Sequence, residues 1–151
     1  MKHMIAFRGL NNIFEDATMK KWCDKNGYKL KVFNYYDLND AADYVTELDS
    51  DHIEILGYSR GAVSAYSLAK ITPKVQYKRM LTVGSYHTVT SSFGRARPKL
   101  KNVHVHLNYI EKHQQPEGFF NNPINVSLGE CSHFKAVEKT LSMIDNNIEL
   151  L

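Results

Sequence analysis

The residues with the clearest chemical potential are Gly57-Tyr58-Ser59-Arg60-Gly61, a serine with a glycine two places before it and another two places after. A serine hydroxyl is a poor nucleophile at neutral pH. It becomes a useful one when a sharp turn exposes it and a neighbouring base takes its proton. Glycines at those positions let the chain turn tightly and let the flanking segments approach, so that the hydroxyl projects. The chemistry implied is acyl transfer: attack on a carbonyl, an acyl-serine, then hydrolysis. The pattern alone is modest, since a chain of 151 residues meets it by chance about one time in twenty at ordinary Gly and Ser usage. Context makes it more specific. A strand-like segment at residues 52–56 precedes it, and a helix of small and apolar residues at 62–71, closed by Pro73, follows. Strand, turn and helix in that order are what an exposed nucleophile requires. The bland reading is a glycine-flanked turn with a capping serine.

The serine needs a base and the base needs an acid. Seven histidines are available: His3, His52, His87, His104, His106, His113 and His133. No Asp occurs between Asp51 and Asp145, so the acids between Ser59 and His133 reduce to Glu111, Glu117 and Glu130.

The elements that must position these groups follow from hydrophobic period. Strands are predicted at residues 4–7, 29–35, 52–56, 79–84 and 103–109, with a short one at 125–128. Helices are predicted at 15–26, stopped by Gly27, from Asp37 as cap through Leu48, and at 62–71. The last helix is read from Phe134, Val137, Leu141, Ile144 and Ile148, at alternating spacings of three and four. Strands separated by helices imply a mostly parallel sheet covered on both faces, a three-layer α/β/α sandwich. Function in such sheets sits at the carboxyl ends of the strands.

Composition bounds the rest. At 43% hydrophobic and 23% charged the chain is ordinary globular material. With no linker or repeat it reads as one domain over residues 1–151. Nineteen Lys and Arg against sixteen Asp and Glu give a net charge of +3, too small to require a nucleic acid partner. No apolar run is long enough to span a membrane and none suits a signal peptide, while Cys23 and Cys131 make no disulfide framework. The expectation is a soluble, cytoplasmic protein.

Over nearly its whole length this order of elements resembles a small α/β-hydrolase. Gly-Tyr-Ser-Arg-Gly-Ala at 57–62 is similar to nucleophile elbows of lipase- and phospholipase-like branches. Phe7-Arg8-Gly9-Leu10 resembles the Phe-Arg-Gly-Ser/Thr loop of class 3 lipases, with Leu10 where the family has a hydroxyl. The resemblance implies that the Leu10 and Arg60 backbone N–H groups form an oxyanion hole. It also implies an order of serine, acid, then histidine before the final helix, which selects His133. Asn108-Tyr109-Ile110-Glu111 is similar to the family's Asn-x-x-Asp segment with Glu for Asp, which favours Glu111 as acid; Glu117 is the alternative, and Glu130 stands close to His133 in sequence.

Other features have plainer readings. His104 and His106 share a strand face and with His87 could approach a metal, but no ligand spacing supports a site, and no metal or cofactor is expected. Arg95, Arg97, Lys99 and Lys101 form a basic loop, expected on the active-site side, that suits an anionic group or simply solvent. Tyr35, Tyr36, Tyr58, Tyr86 and Phe93 fall near strand ends, where they would line a pocket or close the core. The function expected is cleavage of a small-molecule or lipid carboxylic ester through Ser59, with His133 as base and Glu111 as acid. A thioesterase, a phospholipid acyl hydrolase and a non-catalytic binding domain are the alternatives. Oligomeric state is not legible.

Overall fold

The computed structural model describes residues 1–85, 97–112, 120 and 123–146. Six strands, β1 (Lys2–Phe7), β2 (Tyr28–Phe33), β3 (Ile53–Tyr58), β4 (Tyr77–Val83), β5 (Val103–Glu111) and β6 (Ile124–Gly129), form one sheet in the order β2-β1-β3-β4-β5-β6. Every neighbouring pair is parallel. The described helices are α1 (Asp16–Asn26), α2 (Leu38–Glu47), α3 (Gly61–Ile71) and α4 (Ala136–Asp145). The α/β class and the parallel sheet are as the sequence implied.

Alternate strand residues feed two cores. On one face Met4, Leu56, Leu81 and Leu107 pack with Met19 and Cys23 of α1 and Val137 and Leu141 of α4. On the other Ile5, Phe7, Ile55 and Met80 pack with Ala41 and Val45 of α2 and Ala65 and Leu68 of α3. The central β3 is buried from end to end, so its sequence shows no alternation of apolar and exposed polar residues. The chain winds one way from β1 to β2, then crosses back to β3 and continues the other way. That reversal opens a crevice between the carboxyl ends of β1 and β3.

One charged residue interrupts β3. Glu54 is buried, accepting from the Tyr28 hydroxyl, from Arg79 Nε at 2.5 Å and from His52 Nε2 at 2.7 Å. Burial alone would raise its pKa; the Tyr28 hydrogen bond and the Arg79 charge outweigh it and hold the carboxyl below its ordinary value.

Three details depart from the sequence reading. The Asp37 carboxylate accepts from the Asn34 N–H at 3.2 Å and makes no side-chain cap on α2. Phe134 lies outside α4, in a 3-10 turn (His133–Lys135) whose start is capped by the Ser132 hydroxyl, and it is 60% exposed. The described basic residues Arg97, Lys99 and Lys101 lead into the amino end of β5, the end away from Ser59, because the crossover from β4 must return there. Arg95, Tyr86, Phe93, His87, His113, Glu117 and Ile148 lie outside the described residues. Among the described residues no helix is long and apolar enough to cross a membrane, and no three His, Cys, Asp or Glu side chains are grouped to hold a metal.

Candidate active site

Ser59 follows the last residue of β3 at φ +57°, a left-handed conformation that a non-glycine residue adopts at a cost. Its N–H donates to the Val83 carbonyl at 2.8 Å, which ties the turn to the end of β4. The flanking glycines are required by approach. A Cβ on Gly57 would stand 2.3 Å from the Gly61 carbonyl oxygen, and one on Gly61 would stand 2.5 Å from that of Phe7. Helix α3 therefore begins hard against the strands.

Two further segments reach the serine. Glu111 ends β5 beyond a register shift against β6, fully buried, and His133 opens the turn before α4. The His133 Nδ1 is 2.5 Å from Glu111 Oε2, and its Nε2 is 3.1 Å from Ser59 Oγ. A neutral imidazole with its proton on Nδ1 donates to the Glu111 carboxylate and leaves Nε2 to accept from the Ser59 hydroxyl. Ser59, itself 7% exposed, is thus reached by a half-buried ring with an acid behind it. Glu130 is elsewhere, exposed and paired with Lys112. His3, His52, His104 and His106 are also apart from the serine. His106 is 2.7 Å from the Thr82 hydroxyl, and burial pulls its pKa down to about 4.

The loop after β1 borders the same crevice. Arg8 anchors it through Asp16 at 2.6 Å and Asn34 at 3.0 Å, and Asn11 and Asn12 take left-handed conformations at φ 58° and 59°. Among the described residues neither the Leu10 N–H nor the Arg60 N–H donates to a protein acceptor. The cleft between them, about 260 Å³, is walled by Leu10, Ile13, Tyr58 and Phe134 around Ser59 and His133. Leu10, Ile13 and Phe134 are exposed large apolar residues.

Sequence reasoning missed two participants. Gly84, at φ +57°, sits beneath the acid and base: a Cβ there would lie 2.7 Å from Glu111 Oε2 and 3.2 Å from His133 Nδ1. A glycine directly after the β4 run was its available signal. Tyr58 carries a contact to His133 that no local pattern announces.

No family model matches the chain, and no curated protein sequence matches it. Among solved structures it is similar to the crystal structure of the esterase domain from a Rhodothermus marinus protein, with a TM-score of 0.63 at 14% identity, covering 97% of this chain and 83% of that one. At that identity the likeness is one of fold. The chain shares the α/β architecture of that structure, built here on six parallel strands.

Proposed function

We propose that this protein is a serine hydrolase that cleaves carboxylic esters through an acyl-enzyme on Ser59. The observation that carries the reading is the unbroken line from Glu111 to His133 to Ser59, at 2.5 and 3.1 Å. His133 Nε2 takes the hydroxyl proton as Oγ attacks the ester carbonyl. The tetrahedral oxyanion is held by the Leu10 and Arg60 N–H groups. Collapse breaks the carbon–oxygen bond to the alcohol, which leaves with the proton from His133. Water then repeats the sequence on the acyl-serine, with His133 as base again, and releases the carboxylic acid. Glu111 keeps the ring oriented and stabilises the imidazolium. General-base catalysis contributes about 10²–10⁴ in rate, and each oxyanion donor about 10²–10³. The alternative acid Glu117 enters only if Glu111 proves dispensable.

A fluorophosphonate tests the reading directly. It should modify Ser59 and spare Ser64 and Ser67 on α3; Ser64 already donates its hydroxyl to the Tyr35 carbonyl. Ser59→Ala should abolish labelling and ester hydrolysis with the fold intact. Peptide mass spectrometry that finds the adduct elsewhere, or none on the folded protein, overturns the assignment.

A further inference from the structure

His133 lies in a stretch with little regular structure of its own. Residues 131–135 comprise two residues without regular structure and one short turn, and most of their side chains are partly or fully exposed. An imidazole that must face an acid on one side and a serine on the other needs both its position and its ring plane fixed. Its plane is set from β3. The Tyr58 hydroxyl donates to the His133 carbonyl at 2.7 Å, and the Tyr58 ring stacks on the imidazole with centroids 4.9 Å apart and planes 29° apart.

We infer that Tyr58 is a positioning residue, which pins the peptide of His133 and lays its imidazole in the plane that serves Glu111 and Ser59 together. Three observations give it the rigidity for this. It is the last residue of the central strand, paired in register with Val83. It is 2% exposed, and Phe14 packs on it at 6.2 Å. Burial, with Glu111 and Glu15 nearby, raises its phenol pKa, so it remains a donor throughout the working range of pH.

The inference rests on the serine hydrolase reading only for its kinetic consequence, so the test has a readout that does not need turnover. Tyr58→Phe removes the hydroxyl and keeps the ring; Tyr58→Leu removes both. In Tyr58→Phe, kcat should fall about three- to tenfold with KM little changed, and the His133 ring resonances should shift as the imidazole loses its fixed plane. In Tyr58→Leu the loss of kcat should be larger. If the wild type fails to react with a fluorophosphonate yet the His133 signals still shift between Tyr58→Phe, Tyr58→Leu and wild type, the esterase reading is wrong and the positioning role stands. Tyr58→Phe with wild-type kcat and unshifted His133 resonances overturns the inference; because that variant is nearly isosteric, a misfolded Tyr58→Leu would not shelter it.

Discussion

Gly84→Ala tests how tightly the acid and base are packed. The backbone there is left-handed at φ +57°, which costs a non-glycine residue about 1–2 kcal/mol. The added Cβ would also lie 2.7 Å from Glu111 Oε2, so the carboxylate must retreat by roughly 0.7 Å to reach ordinary contact. Glu111 is fully buried, and the group it would be pushed from is His133 Nδ1, at 2.5 Å. Overpacking of this kind adds about 1–3 kcal/mol. The variant should therefore lose about 2–5 kcal/mol of stability to urea and about ten- to a hundredfold in kcat. Gly129→Ala separates the two contributions. That glycine also has a positive φ, 64°, but a Cβ on it meets nothing within 4 Å, so it should cost about 1 kcal/mol and leave kcat unchanged. Equal kcat in wild type and Gly84→Ala would refute the reasoning, even with stability reduced, because the clash would then have been absorbed away from the catalytic pair.

Three further outcomes are expected. Glu111→Gln should lower kcat about a thousandfold and raise KM little, while Glu117→Gln is mild; steady-state kinetics with the two reversed would move the acid into the 113–119 segment. The cleft of about 260 Å³ is smaller than most drug-sized sites, so kcat/KM should favour acetyl or butyryl aryl esters over long-chain ones. A maximum at about twelve carbons or more, where burial at roughly 0.8 kcal/mol per methylene would dominate, argues for a deep acyl groove instead. His106 contributes a pH dependence. Its folded pKa, about 4, is below the unfolded value of 6.5, so its neutral form stabilises the fold above pH 6.5 and that stability drains away as pH falls toward 4. The loss is at most about 3 kcal/mol; urea midpoints at pH 7 and 4 should differ less in His106→Gln than in wild type.

The sheet, its helices and the elbow are readable in the chain because each depends on local pattern: period, glycine placement and the strand-like segment before Ser59. The acid is harder, since the sequence pattern ends the fifth strand at residue 109 and leaves Glu111 and Glu117 both beyond it, whereas β5 runs on to Glu111 and its register brings that carboxylate to His133. Phe134 matches the spacing of α4 perfectly well on paper, yet Ser132 caps a tighter turn first and leaves it in the cleft wall. Asp37 precedes a helix as a cap should, but the Asn34 N–H competes successfully for its carboxylate. Tyr58 is legible as a pocket-lining aromatic and Gly84 as a glycine after a strand, but their contacts to His133 and Glu111 are not. Their importance lies in what stands across space from them, not in what surrounds them in sequence.

Ser59 and His133 are separated by 74 positions, and His133 arrives only with the last turn and helix of the described chain. A ribosome releasing this protein therefore exposes Ser59, the proposed nucleophile, well before His133, its proposed base. Until β5, β6 and α4 have docked, the serine is an ordinary alcohol on an unfinished sheet. Trp22 on α1 donates its indole N–H to Asp145 at the end of α4, at 2.9 Å, so the single tryptophan senses the closing of that same seam. Its fluorescence and the reactivity of Ser59 should therefore be regained together on refolding. On the function proposed above, activation of Ser59 waits on the segment that carries His133 and α4.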